Sequence, residues 1–365
     1  LAQKATARDL IAIAATIEEK AFDETQDIKE LMTEAEASIF EISQRSQKRD
    51  VTQIDPVIDE AFKRMEKAAK NDGTISGIPS GFDALDKITS GWQTPDLIII
   101  AARPAMGKTA FVLSMAKNIA IDRKIPVAIF SLEMSNVQLV NRLIMNVCEL
   151  EGEKIKTGKM SKKDTQKLNT KINIMKGAPL FMDDTPQLSI YELRSKARKL
   201  VRTHKVQLII IDYLQLMNAQ GSNFGSREQE VSIISRGLKA LAKELDIPII
   251  ALSQLNRGVE ARTGVEGKTP QLSDLRESGA IEQDADMVCF IHRPEYYHLY
   301  NDEKTGKDLR GLAQIIVAKH RNGSVGEISL RFRAELTQFC DLETVSTYVS
   351  NANTDGVITQ TIPSR

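Results

Sequence analysis

Apolar residues change their spacing along this chain, and each change predicts a different kind of element. Through residues 4–21 they fall at Leu10, Ile13, Ala14, Ile17 and Ala21, and then at Ile28, Leu31, Met32, Ala35, Ile39 and Ile42. Steps of three and four place each set on one face of a helix. The short, mostly polar link over residues 22–26 predicts an antiparallel helical hairpin spanning 1–45. With one stripe each, two such helices bury little alone, so the hairpin is expected to pack on a partner. Residues 46–76 form a polar linker interrupted by one helical stripe, Val57, Ile58, Ala61, Phe62, Met65 and Ala69. Asp55 as N-cap and Pro56 at the first helical position predict its start. A helix between two polar stretches must dock its apolar face, on its own chain or on a neighbouring subunit.

From Gly77 the pattern becomes short apolar runs separated by helical stripes. Leu97 to Ala102, Pro126 to Leu132, Leu180 to Met182, Gln207 to Ile211, Ile247 to Leu252, Met287 to Ile291, Ala313 to Ala318 and Ile328 to Phe332 read as strands. Helices are expected near 111–120, 136–148, 191–201 and 228–245, with Lys-rich helical composition over 150–178. Strands alternating with helices predict an α/β fold, a mostly parallel central sheet covered on both faces. This core should span 77–345. The tail at 346–365, rich in Ser, Thr and Asn, is expected to be mobile.

Composition narrows the class. A hydrophobic share of 42% allows a sizeable core, and 27% charged residues mark a soluble chain. Lys plus Arg and Asp plus Glu both number 49, so any nucleic-acid contact must come from a local feature and not from a global basic field. Cys148, Cys289 and Cys340 lie far apart without metal-ligand spacing, which predicts reduced thiols in a cytoplasmic protein. No apolar run approaches a membrane span, and no signal peptide is visible, so no membrane role is expected. The chain opens at Leu1 inside a helical pattern and reads as a piece of something longer.

The candidate chemistry centres on P-D-L-I-I-I-A-A-R-P-A-M-G-K-T at 95–109. An apolar strand, a small-residue loop, Gly-Lys-Thr and then a helix is the layout of a phosphate-binding P-loop. Backbone N–H groups of Ala105, Met106, Gly107, Lys108, Thr109 and Ala110 would cradle phosphate oxygens. The Lys108 ammonium would meet the β- and γ-phosphates, and the Thr109 hydroxyl would ligate Mg²⁺. Ala102 stands where the consensus has glycine.

Ligands of a parallel sheet bind beyond the carboxyl ends of its strands, so the other strand ends test this reading. They carry Glu133, Asp212 and Gln254. A lone Asp at a strand end is an ordinary turn residue; beside a P-loop, Asp212 fits the second carboxylate that holds Mg²⁺. Glu133 can take the proton of the attacking water, with Ser135 or Asn136 capping the helix behind it. Gln254 can hydrogen-bond the γ-phosphate or that water. Together these residues describe a site that hydrolyses a nucleoside triphosphate.

Seven stretches carry a family resemblance: G-F-D-A-L-D at 81–86, A-R-P-A-M-G-K-T at 102–109, S-L-E-M at 131–134, I-I-I-D-Y-L-Q-L-M at 209–217, S-Q-L-N-R at 253–257, L-R-E-S-G-A-I-E-Q-D-A-D at 275–286 and A-K-H-R-N-G at 318–323. In this order the chain resembles the DnaB-type replicative helicases, hexameric motors with a RecA-like P-loop NTPase core. That family commonly carries Ala at the first P-loop position. The resemblance implies ATP and Mg²⁺ as ligands, Glu133 as catalytic glutamate, Asp212 as Walker B aspartate and Gln254 as the γ-phosphate sensor. It also implies that Lys319 and Arg321 form a finger reaching into the neighbouring subunit's ATP site. Arg276, Glu277 and Gly279 match the DNA-contacting loop, and the loop at 218–227, ending in Arg227, is a second candidate.

The implied activity is a homo-hexamer moving 5′ to 3′ on single-stranded DNA and unwinding forked duplex. Primase and loader contacts of the family type are expected to be weakened, because residues 1–45 resemble only the later part of the hairpin that follows the family's globular N-terminal domain. A RecA-like recombinase shares the core, but the tethered helix and R-E-S-G-A-I-E-Q argue against it.

Overall fold

A computed structural model describes residues 2–23, 53–70, 75–219, 226–256, 258–262, 267–302, 305–306 and 308–342, with scattered positions between Asp27 and Ile42. The polar stretch before the linker helix, the loop at 220–225 and the expected tail at 346–365 lie outside the described residues. The first helix, Ala2–Ala21, is long and largely exposed. Described positions from Ile28 to Ile42 are helical too, and Lys20 Nζ meets Glu34 Oε1 at 2.5 Å across the hairpin.

The linker helix runs over Ile54–Lys70 and leaves Ile54, Ile58, Phe62 and Met65 exposed. It begins one residue before the expected cap, so Asp55 and Pro56 sit inside the first turn. Proline is harmless there because first-turn N–H groups have no helical acceptor.

The core is a nine-stranded sheet in the order β3-β2-β4-β5-β1-β6-β7-β8-β9. The six strands β1 (Leu97–Ala102), β2 (Val127–Ser131), β3 (Leu180–Asp183), β4 (Leu208–Asp212), β5 (Ile249–Gln254) and β6 (Met287–His292) run parallel. The last three, β7 (Leu312–His320), β8 (Gly326–Arg333) and β9 (Gln338–Cys340), are antiparallel and extend one edge. Burial follows from position. β1, β2, β4 and β6 are buried at every residue, whereas β8 alternates. Strands covered on both faces need unbroken apolar runs, and a strand covered on one face does not.

Because successive side chains point to opposite faces, β1 divides between two cores. Ile98, Ile100 and Ala102 pack with Phe82, Trp92 and the helix Lys108–Ala116, while Leu97, Ile99 and Ala101 pack with the helices Ile190–His204 and Arg227–Leu245. The Lys-rich stretch after residue 150 forms two helices, Gly152–Thr157 and Lys162–Met175. Short elements escape the hydrophobic pattern, the helix Gly279–Asp284 among them. The helix Asp83–Thr89 is only seven residues long, and β9 has three.

β9 nonetheless matters, because Phe339 closes an aromatic cluster behind the P-loop helix. Its ring lies 5.4 Å from Phe111 and 4.8 Å from Phe332, and Phe111 stacks on Phe82 at 5.1 Å. Rings from separate stretches of the chain therefore fix where that helix begins.

Candidate functional site

The loop between β1 and the helix Lys108–Ala116 turns through two residues in the left-handed region, of which only the glycine is free of strain. Ala105 has φ 64° and Gly107 φ 95°. A side chain at 107 would be strained by that φ alone, and its Cβ would also stand 3.1 Å from Phe339 Cε2. Two arginines that the sequence did not single out hold the loop from either side. Arg103 is buried; its guanidinium donates to the Leu255 carbonyl at 2.6 Å and to Glu260 Oε1 at 2.9 and 2.5 Å. Arg293, just past β6, donates to the Ala105 carbonyl at 3.3 Å and lies 3.9 Å over the Phe332 ring. A single sequence marks neither, since their hydrogen-bond partners are more than a hundred residues away.

Strand order then assembles the chemistry. β2, β4, β5 and β1 are neighbours, so the segments bearing Glu133, Asp212, Gln254 and Lys108 emerge side by side. The Thr109 hydroxyl donates to Asp212 Oδ2 at 2.7 Å. Lys108 Nζ donates to the Ser253 carbonyl at 3.0 Å and sits 5.0 Å over the Tyr213 ring. Ser135 caps the helix Asn136–Cys148, which leaves Glu133 exposed between strand and helix. Gln254 is exposed at the end of β5, and its N–H donates to Gln215 Oε1 at 3.3 Å. Gln215 Nε2 in turn donates to Ser253 Oγ at 2.8 Å. Gln215 lies inside I-I-I-D-Y-L-Q-L-M but three residues past the end of β4, in the 3₁₀ turn Leu214–Leu216, where strand-end position gives no signal for it.

The electrostatics describe a site that needs an anion and a cation together. Burial lowers the Lys108 ammonium to about 8, against the opposing pull of Asp212 and Glu133. Burial raises the Asp212 carboxyl, opposed by the Thr109 hydroxyl and then by Lys108. Each charged form is short of hydration in the protein alone. Phosphate oxygens would compensate Lys108, and a divalent cation would compensate Asp212. Mg²⁺ bound through substrate phosphates needs only one or two protein groups, and the adjoining hydroxyl and carboxylate of Thr109 and Asp212 fit it.

Lys319 and Arg321 are not brought to this cluster. Lys319 Nζ donates to the Glu282 and Ala285 carbonyls at 2.5 and 2.8 Å. Arg321 reaches Asp286 Oδ1 at 3.3 Å and the Gln283 carbonyl at 2.5 Å. Asp286 Oδ2 also accepts from the Leu97 N–H at 2.8 Å, which places the pair at the amino end of β1, with the P-loop at its carboxyl end. Six strand residues separate the two by roughly 20 Å. Arg276 lies in the 3₁₀ helix Leu272–Ser278, and Gly279 is the first residue of the helix Gly279–Asp284. The side chains of Arg276 and Glu277 lie outside the described residues. Arg227 turns back onto its own chain, pairing with Glu230 and donating to the Gln215 carbonyl at 2.5 Å.

Comparison with known proteins decides the family. Residues 77–341, well over half the chain, match the DnaB-like helicase C terminal domain. The chain belongs to the DnaB-like helicases. It is 42% identical over 341 residues to the replicative DNA helicase DnaB of Geobacillus stearothermophilus, covering 93% of this chain and 73% of that protein. Identity and coverage are the same with the replicative DNA helicase DnaC of Bacillus subtilis. Among solved structures, a DnaB-like replicative helicase described with its primase interactions superposes with a TM-score of 0.74 at 37% identity, over 92% of this chain and 76% of that one. A separately solved ATPase domain gives a TM-score of 0.73 at 39% identity, covering 80% of this chain and all of that one. The fold of this DnaB-like chain is therefore the RecA-like ATPase fold of that family.

Proposed function

We propose that this chain is the motor of an ATP-dependent replicative DNA helicase, working as a ring of six copies that moves 5′ to 3′ on single-stranded DNA and separates forked duplex. It is an ATP-hydrolysing enzyme of the DnaB-like family. Residues 77–345 form the motor, 46–76 the linker and 1–45 the helical hairpin, and the exposed apolar rows on the linker helix and hairpin suit contacts between copies. Partners are DNA, further copies of the chain, and primase, which a solved relative engages. No described helix is long and apolar enough to cross a membrane, and replication places the working site in the bacterial cytoplasm.

The observation that carries this reading furthest is the separation along β1. Lys108, Thr109, Asp212, Glu133 and Gln254 gather at the carboxyl ends of the strands, while Lys319 and Arg321 project from the amino end beside Leu97. A head-to-tail stack of copies turns these two half-sites into one. The loop amides and the Lys108 ammonium hold the phosphates of ATP. Glu133 accepts the proton of the attacking water as its oxygen bonds the γ-phosphorus, and ADP departs from the same phosphorus. Gln254 orients that water. Arg321 and Lys319 of the adjacent copy meet the charge that develops in the transition state. Mg²⁺ on Thr109 and Asp212 supplies further charge neutralisation when bound. Phosphate contacts from Arg276 and the Gly279 N–H read no bases, so DNA binding is independent of sequence and sensitive to salt.

Unwinding of a forked duplex with separately blocked 5′ and 3′ tails tests the proposal. Strand separation should require ATP and a free 5′ tail; activity that depends on the 3′ tail, or none with ATP hydrolysis intact, would reject it.

A further inference from the structure

The finger candidates stand on a scaffold whose centre is a buried carboxylate that no motif above assigns a role. Asp286 is 5% exposed and receives four groups. Lys239 Nζ, from the helix Arg227–Leu245, reaches Oδ2 at 2.5 Å, and the Leu97 N–H reaches the same oxygen at 2.8 Å. Arg321 takes Oδ1 at 3.3 Å, and the Arg321 N–H donates to the Asp286 carbonyl at 2.9 Å. Lys239 also donates to the Pro95 carbonyl at 2.9 Å. The carboxylate therefore joins β1, β6, the 227–245 helix and the turn after β7 at one point.

The remaining donors of the finger pair go to the carboxyl end of the helix Gly279–Asp284. The Glu282, Gln283 and Ala285 carbonyls, which have no helical partner there, accept from Lys319 and Arg321. Yet Arg321 remains half exposed, with 47% of its side chain open to solvent. Its guanidinium is anchored to Asp286 and the Gln283 carbonyl while the rest of the side chain's surface stays open to solvent. A side chain that must enter a second molecule gains from this, because a long flexible arginine otherwise loses rotamer freedom at the moment of reaction.

We infer that Asp286, braced by Lys239, is a positioning residue for Arg321: it holds the guanidinium at the amino end of β1 in the pose from which it serves the nucleotide of the adjacent copy. The inference rests on the reading of Lys319 and Arg321 as a finger acting between copies. Asp286 touches no substrate. Its influence appears in the turnover of a neighbour's site and leaves its own nucleotide affinity alone. The amino end of the same 279–284 helix carries Gly279, next to Arg276, so DNA held there is one short helix away from the finger's anchor.

Subunit mixing tests this in the full chain. Asp286→Asn alone should lower kcat for ATP by roughly a hundredfold, the effect of misplacing a catalytic group by about an ångström, with KM for ATP unchanged. Mixed with Lys108→Ala copies, which have no working P-loop but an undisturbed finger, it should regain turnover, because some of its sites then face a sound finger. Arg321→Ala mixed with Lys108→Ala is the control and should complement in the same way.

If the control complements and Asp286→Asn does not, the positioning role is overturned while the finger reading survives. If the control itself fails, the finger reading falls and takes this inference with it. A double variant, Lys239→Met with Asp286→Asn, removes the unpaired buried lysine that could unfold the single variant. It should recover the thermal midpoint but not the turnover; recovery of both would show that the carboxylate only stabilises the fold and would overturn the proposal.

Discussion

The Lys108 ammonium offers a quantitative test, because the protein alone leaves it short of compensation. Burial lowers its pKa from 10.5 to about 8, which corresponds to on the order of 3 kcal/mol withheld from the charged form. Nucleotide phosphates beside Nζ would return that stabilisation and drive the pKa back up. The protonation state therefore changes on binding wherever the empty site has begun to titrate. At pH 8.5 roughly half to three-quarters of a proton should be taken up per nucleotide, and at pH 7 about a tenth or less. Isothermal titration calorimetry of Mg–nucleotide binding in two buffers of different ionisation enthalpy measures the number directly. Lys108→Arg, which stays charged at both pH values, should show no uptake.

The same residue sets a trend in stability. The unfolded chain keeps its Lys108 proton up to 10.5 while the folded chain releases it near 8. Between those values the unfolded state binds more protons, so this residue's contribution to stability rises with pH across that window and is flat below it. Zero proton uptake at pH 8.5, with tight binding preserved, would refute the account: Lys108 would then be either hydrated in the empty site or remote from the phosphates.

Three further outcomes follow from the geometry. Phe339→Ala removes a ring that is only 2% exposed behind Gly107 and should cost about 3–5 kcal/mol in urea denaturation, with nucleotide affinity falling as the loop loses its backing; a change below about 1 kcal/mol would mean the aromatic cluster does not brace the P-loop. Arg103→Leu strands the Leu255 carbonyl and Glu260 and should cost about 2–4 kcal/mol by the same measurement, whereas Glu260→Gln, at a half-exposed partner, should cost about 1 kcal/mol or less; equal losses would contradict the assignment of burial to the arginine side. Arg276→Ala should weaken single-stranded DNA binding alike on all sequences and reduce the slope of log affinity against log salt by about 1; a loss confined to particular sequences would contradict backbone contact.

How much of this was legible beforehand depended on whether a feature lies in local spacing or in distant pairing. β1 and β4 could be read as buried strands because every residue of each is buried, and apolar residues fill all but the last position of β4. Thr109 and Asp212 could be paired because strand order in a parallel sheet brings strand ends together, and they meet at 2.7 Å. The strand β8 could be read as well, though not its antiparallel direction. Ile328, Leu330 and Phe332 alternate with Ser329 and Arg331, the period of a strand covered on one face, and β8 shows that alternation in its burial.

What stayed hidden is long-range and polar. Arg103, Arg293 and Asp286 look like any of the many charged residues, and each acquires its role from a partner far along the sequence: Glu260, Ala105 and Lys239. The helix Asp83–Thr89 begins at Phe82, which supplies no side-chain cap, so neither length nor a start signal reveals it. Phe82 and Leu85 are fully buried all the same. The family stretch G-F-D-A-L-D marked them without saying why; for Phe82 the reason is its ring stack against Phe111.

The arrangement along β1 also bears on why hydrolysis by such a chain should depend on assembly. The P-loop is held by packing on one face and by two arginines at its flanks, while the finger pair is tied to helix-end carbonyls and to a carboxylate that also accepts from Leu97. Both halves are rigid, and the same strand keeps them apart. No side-chain rotation can close a gap of roughly 20 Å, the length of six strand residues, so if Lys319 and Arg321 serve the nucleotide, as proposed above, they must serve that of another copy. Such a contact would join different surfaces on the two partners, which would make it heterologous, the kind of contact that gives a ring where the rotation per copy closes. Turnover per chain should therefore climb steeply with protein concentration through the range in which copies associate, then level off. Analytical ultracentrifugation run alongside ATPase measurements would show the two curves rising together, and full activity in the monomer would refute the division of the site between chains.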